Sequence, residues 1–194
     1  MTPLRMTQLT LRILAQYLLL AVMQGTLAYA TGVPTMPLTL QSPDFTHQGA
    51  MPPQLTCDAD NISPSLHWST LPTKTKSVVL IVDDPDAPDP AAPKMTWVHW
   101  LLYNIPITVT ELPQGVAAEQ LPPGILQGKN DWQKLGYGGP CPPIGRHRYF
   151  HKLYALDIEL PDLKHPTKAQ LEQAMRGHVL EEAQLMGTYQ RHSK

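Results

Sequence analysis

The sequence lacks an excess of charge of either sign, because 15 lysines and arginines stand against 16 aspartates and glutamates among 194 residues. It also lacks any block of like charges. Proteins that hold nucleic acid through its phosphates need a basic surface, so this balance argues against nucleic-acid binding. Charge is too modest, and apolar residues at 42% are too frequent, for a disordered chain.

No unbroken apolar run reaches the roughly 20 residues that a membrane-spanning helix needs. The apolar stretch 13–23 instead follows two arginines and precedes Ala28-Tyr29-Ala30. A basic start, a short apolar middle and a small-x-small site are the parts of a secretory signal peptide. The sequence therefore predicts residues 1–30 as a signal peptide and residues 31–194 as one domain, periplasmic or secreted after cleavage near Ala30. An uncleaved membrane anchor is the alternative.

Cysteine is scarce, with Cys57 and Cys141 as the two residues of this type. Two thiols are too few for a thiolate metal site, and in an exported protein they are candidates for a disulfide. Two buried free thiols are the alternative that the sequence leaves open. No metal and no other cofactor is predicted.

Proline, by contrast, is abundant at 21 residues, which suits a turn-rich domain dominated by strands. Helical spacing occurs near the end of the chain, after the capping residue Thr167 and before Gly177. Residues 178–183 are predicted as a second short helix and residues 185–189 as a closing strand. The clearest earlier strand patterns are residues 38–41, 77–82, 98–105 and 149–160.

Strands that precede helices indicate an all-β fold, here an antiparallel Greek-key β-sandwich of two sheets with a small C-terminal helical appendage. Residues 106–146 show little periodicity, and a structureless connection of this length is unusual in a compact domain. We therefore expect short hidden strands within it. Its alternating prolines and glycines favour an ordered binding loop. A cis bond is predicted at Ala87-Pro88, in a tight acidic turn.

Three polar clusters interrupt the apolar runs, at residues 83–88, 97–106 and 138–149. In the second, strand alternation predicts one face for Trp97, His99, Leu101 and Tyr103. In the third, it predicts that His147 and Tyr149 point one way and Arg148 the other.

Each cluster also has a structural interpretation. Aspartates commonly hold turns after strands, a histidine on an apolar face is commonly a core residue, and Arg148 suits an ion pair. The enzyme alternative is a small hydrolase that uses the Asp and His cluster. The chain, however, has neither a G-x-S-x-G nor an H-E-x-x-H motif, and Cys141 is the one plausible nucleophile in the loop.

Taken together, the clusters resemble a known family. Asp84-Pro85-Asp86-Ala87-Pro88, then Trp97-x-His99, then Gly139-Pro140-Cys141-Pro142-Pro143-x-Gly145-x-His147-Arg148-Tyr149 closely resemble the motifs of the phosphatidylethanolamine-binding protein family. The cysteine between the prolines is similar to the bacterial, Raf-kinase-inhibitor-like branch. The resemblance extends from about Leu38 to Tyr189.

The resemblance implies a non-catalytic binding protein with a small pocket for anions or phosphorylated head groups. It also implies a possible role as inhibitor or modulator of a partner enzyme, and at most peripheral contact with a membrane. Tyr189 is a candidate to close the pocket, as a tyrosine near the C-terminus does in eukaryotic members. Carried over residue by residue, the predicted ligand-binding residues are Asp84, Asp86, Trp97, His99, Gly139, Pro143, His147 and Tyr149.

The chemistry of these residues agrees with a phosphate ligand. Donors can come from the backbone N–H groups of Gly138 and Gly139, from the Tyr149 hydroxyl and from protonated His99 or His147. Asp84 or Asp86 can accept a hydrogen bond from an imidazole N–H, or can face the ammonium of an ethanolamine-type zwitterion. Phosphate is expected to bind more tightly as pH falls.

Overall fold

The structure, a computed structural model, describes residues 36–191. The predicted signal peptide, residues 1–30, and its cleavage site at Ala30 lie outside the described residues. Among residues 36–191, no helix combines the length and the apolar character needed to cross a bilayer.

The described residues form eight strands and one α-helix. Short 3₁₀ turns at Pro53–Leu55 and Ala118–Gln120 complete the secondary structure. In chain order the elements are β1 (Leu40–Gln41), β2 (Leu66–Trp68), β3 (Ser77–Ala87), β4 (Met95–Pro106), β5 (Glu111–Leu112), β6 (Leu126–Gln127), β7 (Arg146–Leu156), α1 (Lys168–Met175) and β8 (Val179–Gln190).

The strands build two antiparallel sheets, which confirms the predicted fold class. The larger has the order β6-β4-β3-β7-β8 and the smaller the order β1-β2-β5. The helix α1 lies between β7 and β8, so a strand and not the helix ends the domain. The expected hidden strands are β5 and β6, and the predicted cis peptide bond at Ala87-Pro88 is confirmed.

Strand β3 is central to the large sheet and is apolar on both faces. Val78, Leu80 and Val82 belong to the core between the two sheets, whereas Val79 and Ile81 belong to a second core beneath α1. A strand that is covered on both faces needs an unbroken apolar run, which explains the sequence of residues 78–82.

The prediction of a helix over residues 178–183 is wrong, because these residues begin β8. Strand β8 pairs with β7 from Leu156↔Val179 to Arg146↔Gln190. The local sequence Leu180-Glu181-Glu182-Ala183 suits a helix, but pairing with a neighbouring strand overrides such weak local preferences. The cap of α1 is as predicted, since the Thr167 hydroxyl accepts a hydrogen bond from the backbone N–H of Gln170.

The predicted alternation along β4 is also wrong, because an irregularity in its pairing with β3 changes the direction of His99. Val82 pairs with Trp100 while Asp83 pairs with Val98, so His99 is one extra residue on β4. This β-bulge reverses the alternation. Val98 therefore packs in the same core as Leu101 and Tyr103, and His99 no longer shares their face.

Candidate functional site

The three sequence clusters meet at one end of the large sheet. Strand β3 ends there, β4 begins there, and β7 begins there after the loop 138–145, because both β4 and β7 run antiparallel to β3. A pocket of about 400 Å³ opens at this end. Its lining residues are Asp84, Ala87, Pro88, Lys94, Met95, Trp97, His99, Trp132, Cys141, Pro142, Pro143 and His147.

A buried aspartate and a buried histidine, Asp84 and His147, contact each other in the pocket wall. The Nδ1 atom of His147 is 2.6 Å from Oδ2 of Asp84, so the predicted contact between an aspartate and an imidazole exists. Nε2 of His147 lies 3.0 Å from the carbonyl oxygen of Ile144, which can only accept, so this nitrogen carries a proton. Both ring nitrogens of His147 are thus engaged within the protein. Burial raises the pKa of Asp84 above its ordinary value, while the hydrogen bond from His147 opposes this.

The other histidine of the pocket keeps one nitrogen without a partner. His99 is 2% exposed, and its Nδ1 lies 2.6 Å from the carbonyl oxygen of Gly138. Since a carbonyl can only accept, Nδ1 carries the proton. Burial lowers the pKa of His99 to about 4, so the ring is neutral near pH 7 and Nε2 presents a lone pair. This Nε2 has no hydrogen-bond partner among the described residues. His99 can therefore serve as the protonated donor that the sequence suggested only well below neutral pH.

Two tryptophans form the aromatic wall. Trp97 was predicted; its ring meets that of Trp132 edge to face, with centroids 5.4 Å apart. The Trp132 ring also lies 5.2 Å from the His99 ring. The indole Nε1 of Trp97 is buried without a partner among the described residues, which leaves a free donor.

Sequence reasoning missed Trp132, which lies on a turn organised by Asn130. The Oδ1 atom of Asn130 accepts the backbone N–H groups of Trp132 and Lys134, and its amide donates to the carbonyl of Gly136. An Asn followed closely by aromatic and glycine residues is a turn signal. Nothing in it shows which way the indole points.

The glycines of the third cluster support the wall and do not offer free donors. The N–H of Gly138 donates to the carbonyl of His99, and that of Gly139 donates to Oδ1 of Asn61. A Cβ at Gly138 would lie 2.6 Å from Cζ3 of Trp132, so glycine lets the indole pack against the backbone. The predicted N–H donors at these two glycines are therefore already occupied. Gly139 lies outside the pocket.

The predicted disulfide between Cys57 and Cys141 is confirmed, with Cα atoms 5.4 Å apart. It ties the pocket loop to the segment after the first 3₁₀ turn. The backbone N–H of Cys57 donates to the carbonyl of Pro140, and the Tyr137 hydroxyl donates to the carbonyl of Leu55. The wall that contains Cys141 is thus held by covalent and hydrogen bonds together.

Asp86 lies next to the pocket and not in it. Its carboxylate accepts from the backbone N–H of Arg148 at 2.9 Å and from the guanidinium of the same residue at 2.9 and 2.6 Å. These hydrogen bonds lower the pKa of Asp86. Arg148 is therefore the structural ion-pair partner that the sequence suggested, on the side of β7 opposite to His147.

The ring of Tyr149 packs against the rings of both histidines. Its ring is stacked with that of His147 at a centroid distance of 6.4 Å and meets that of His99 edge to face at 5.2 Å. Its hydroxyl is buried without a partner among the described residues, but Tyr149 does not line the pocket. Tyr189 does not reach the pocket either, because its hydroxyl donates to Asp58.

Five of the eight predicted ligand-binding residues thus line one pocket, and the roles of all eight in ligand binding stay predictions. The five are Asp84, Trp97, His99, Pro143 and His147. The lining offers acceptors at Asp84 and His99, donors at Trp97, Trp132 and Lys94, and a large share of apolar surface. Within residues 36–191, no three His, Cys, Asp or Glu side chains are arranged to hold a metal ion.

Comparison with known proteins identifies relatives of nearly the whole described chain. A family model described as "Phosphatidylethanolamine-binding protein" matches residues 41–190. A UPF0098 protein from Methanothermobacter thermautotrophicus is 47% identical over 155 residues, which is 79% of this chain and 99% of the relative.

Two solved structures share the architecture. One is a putative phosphatidylethanolamine-binding protein homologue, CT736, from Chlamydia trachomatis, with 39% identity and a TM-score of 0.74. The other is YbcL of E. coli, described as a new member of the mammalian PEBP family, with 31% identity and a TM-score of 0.73. Each comparison covers 81% of this chain and 100% of the solved one.

Proposed function

The chain belongs to the phosphatidylethanolamine-binding protein family, and on that premise we propose that it is an exported, non-catalytic protein that binds a phosphate group in the pocket of His99 and Trp97. The phosphate belongs to a small phosphorylated molecule, which His99 favours over the phosphodiester of a phospholipid head group. The observation that carries the proposal is that His99 lines the pocket and that its buried Nε2 has no partner among the described residues.

A neutral His99 selects for a ligand that brings its own proton. Nδ1 donates to the Gly138 carbonyl, so Nε2 must accept. A phosphate monoester below its second pKa of about 6 carries one P–O–H group, and this group can donate to Nε2. A phosphodiester, such as a phospholipid head group, has no such proton and binds there only if His99 takes one up, which burial disfavours.

The remaining phosphate oxygens need donors, and side chains that line the pocket can supply them. The Trp97 indole N–H is buried without a partner among the described residues, and Lys94, which also lines the pocket, is exposed. Hydrogen bonds from charged or desolvated donors to a phosphate are the stronger ones. The Asp84 charge does not oppose this arrangement, because His147 is bonded to it.

The hydrolase alternative is supported less well. Cys141, the one nucleophile that the sequence offered, is bonded to Cys57, and the pocket lining contains no hydroxyl side chain. The pair Asp84 and His147 resembles a catalytic dyad, but Nε2 of His147, which would act as the base, already donates to Ile144. These features favour binding over turnover.

Export belongs to the same proposal and is supported by the signal-peptide pattern of residues 1–30 and by the disulfide, since disulfides persist mainly in oxidising compartments. Expression of the full chain in a bacterial host followed by fractionation and N-terminal sequencing tests it. A periplasmic protein that starts at Thr31 is expected. A full-length protein that stays with the cytoplasm would contradict export.

Calorimetric titration with phosphate, O-phosphoethanolamine and sulfate tests the binding proposal. Affinity for O-phosphoethanolamine should fall by up to about tenfold per pH unit above pH 6, where a phosphate monoester loses its last proton, whereas inorganic phosphate keeps one P–O–H group as its dianion and should not show this fall. Sulfate has no proton to donate and should bind more weakly throughout this range. Equal and pH-independent binding of sulfate and phosphate would contradict the role of His99 as an acceptor.

His99→Asn is the matched variant, because the Asn amide can still donate to Gly138 while nothing replaces Nε2. It should lose phosphate binding and keep its fold. His165→Asn is the control, since exposed His165 also donates through Nδ1 to a carbonyl, that of Gln127. His147→Ala is less suitable because it leaves the Asp84 carboxylate buried without its partner. Equal affinity in both Asn variants would overturn the proposal.

A further inference from the structure

A second hollow, of about 220 Å³, adjoins the pocket. It is lined by Cys57, by Asn61 and by eight residues of the segment 130–141, and we name it the side hollow. Two of its lining residues, Trp132 and Cys141, also line the pocket. Because the two share these walls, a ligand whose phosphate lies in the pocket can extend into the side hollow.

The lining of the side hollow contains no acidic side chain. Two of its polar side chains are already engaged, because the Tyr137 hydroxyl donates to the carbonyl of Leu55 and Asn130 spends its amide on its own turn. The polar side chains that are left are Asn61 and Lys134, and both are exposed. A lysine ammonium can only donate hydrogen bonds.

The amide of Asn61 is oriented so that its nitrogen is the free end. The backbone N–H of Gly139 can only donate, so the atom of Asn61 that lies 2.7 Å from it is the acceptor Oδ1. A Cβ at Gly139 would lie 2.6 Å from this oxygen, so glycine permits the approach. The amide nitrogen, with two N–H groups, has no hydrogen-bond partner among the described residues.

The backbone of Lys134 is fixed while its ammonium is not. Its N–H donates to Oδ1 of Asn130 at 3.1 Å, and its carbonyl accepts from the N–H of Asn130 at 2.9 Å. Within residues 36–191, no acidic side chain forms an ion pair with the ammonium. The turn therefore holds the base of this side chain beside the side hollow and leaves its charge available.

Three aspartates are neighbours of lining residues in the chain, but none of them lines the side hollow. Asp58 pairs with Arg191 at 2.8 Å, and Asp131 accepts from the backbone N–H of Val98. Asp60 is exposed to solvent, which screens its charge. The lining itself thus keeps a positive charge.

We propose that the side hollow is a subsite for a second anionic group of the ligand, held by the Lys134 ammonium and the Asn61 amide. The ligand is then a phosphate monoester that also carries a carboxylate or a further phosphate. This inference rests on the proposed phosphate binding and specifies its ligand. The two sites differ in what they select, because His99 accepts a proton from one group while the donors of the side hollow favour an ionised one.

Calorimetric titration with short ω-carboxyalkyl phosphates of increasing chain length tests the subsite, each compared with the alkyl phosphate of the same length. Near pH 6 the carboxylate is ionised and about half of the phosphate monoester still carries its proton. At the length that spans both sites, the acid should bind about tenfold more tightly than the alkyl phosphate.

Lys134→Met keeps the apolar stem and removes the charge, so it should abolish most of this difference between the two ligands. Lys129→Met is the matched control, since Lys129 is exposed, close in the chain and outside both linings. It should keep the full difference.

Asn61→Asp is the second variant. Its carboxylate can still accept the N–H of Gly139, but an acceptor replaces the free amide nitrogen. The acid should then bind no better than the alkyl phosphate.

The outcomes separate the two proposals. Equal affinities of acid and alkyl phosphates at every length, or an equal difference in Lys134→Met and Lys129→Met, would overturn the subsite and leave phosphate binding intact. Acids that bind His99→Asn as tightly as the unmodified protein, and lose affinity in Lys134→Met, would support the subsite and overturn the pocket's proposed function.

Discussion

Asp83 and Asp84 are neighbours on β3, and they face opposite sides of the same sheet with opposite consequences. Asp83 is fully buried and is held by the ammonium groups of Lys152 at 2.8 Å and Lys168 at 2.6 Å. Asp84 is held by His147 and lines the pocket. The first carboxylate joins α1 to the strands β3 and β7. The second shares the pocket lining with His99, whose Nε2 has no partner among the described residues.

The two aspartates show how one residue type can stabilise the fold on one face of a sheet and line a proposed binding pocket on the other. On the helix side, the Asp83 carboxylate pairs with two ammonium groups, one of them from α1. On the pocket side, the lone pair of His99 and the N–H of Trp97 lack partners among the described residues. Buried polar groups without partners are costly, and their presence in this pocket supports the proposed ligand.

Removal of the disulfide tests how much this covalent bond contributes to the stability of the pocket loop. The bridge spans 84 residues, and a loop of that length predicts a loss of about 4 kcal/mol when the bridge is removed. Urea denaturation of the variant with both Cys57→Ala and Cys141→Ala should show this loss in the free energy of unfolding. A loss no larger than that of an exposed substitution such as Ile107→Asn would mean that the hydrogen bonds alone hold the loop.

Asp83→Asn is expected to separate stability from binding. It removes the buried counter-charge that two ammonium groups share and leaves Lys168 only its longer contact with Glu172, 3.6 Å away, at a cost of about 3 kcal/mol after allowance for partial exposure. Phosphate affinity, measured by calorimetry well below the unfolding transition, should not change. A loss of affinity with preserved stability would erase the distinction between the two faces.

His151 sharpens the comparison, because it is a buried histidine that does not line the pocket. Neither ring nitrogen has a partner among the described residues, and burial lowers the pKa of His151 to about 4. The unfolded chain binds a proton near pH 6.5, so the stability is full above that pH and is lost as pH falls toward 4. This one residue should account for about 2 kcal/mol of the loss between pH 7 and pH 5.

His151→Leu should remove that share of the pH dependence, as measured by urea denaturation at the two pH values. The variant should keep phosphate binding, which His99→Asn loses. A pH dependence that is unchanged in His151→Leu would show that this imidazole is not held neutral.

Gly138→Ala has the smallest expected effect and tests how closely Trp132 packs against the backbone in the aromatic wall. The added methyl group meets the Trp132 ring, so the indole must move, at a cost of about 1 kcal/mol, and phosphate affinity should fall with it. Trp132→Leu makes room for the methyl group. In a double-mutant cycle the two changes should therefore cost less together than their sum. Additive costs would indicate that the two groups do not meet.

The sequence predicts the parts of this fold that follow local patterns. The runs of β3, β4 and β7, the cap at Thr167 and the turn at Ala87-Pro88 each depend on neighbouring residues. The strand at residues 178–183 depends on pairing with β7, which lies more than twenty residues away in the chain. The local sequence therefore led to the wrong prediction of a helix. The bulge at His99 arises from the register between β3 and β4 and has no local signature.

The candidate site divides in the same way. Asp84, Trp97, His99, Pro143 and His147 were found because their motifs resemble those of a family. Trp132 lies on a turn without periodicity and is brought to the pocket by Asn130 and by the absence of a side chain at Gly138. Gly139 was expected to offer an N–H to the ligand, but Asn61, distant in sequence, accepts that hydrogen bond.

The protonation of the His99 ring tests the central claim most directly. In ¹⁵N-detected histidine spectra at pH 7, Nδ1 of His99 should be protonated and Nε2 unprotonated, and addition of O-phosphoethanolamine should shift the Nε2 resonance while that of His165 stays in place. A protonated Nε2 in the free protein, or an Nε2 resonance that does not respond while the ligand binds, would contradict the account.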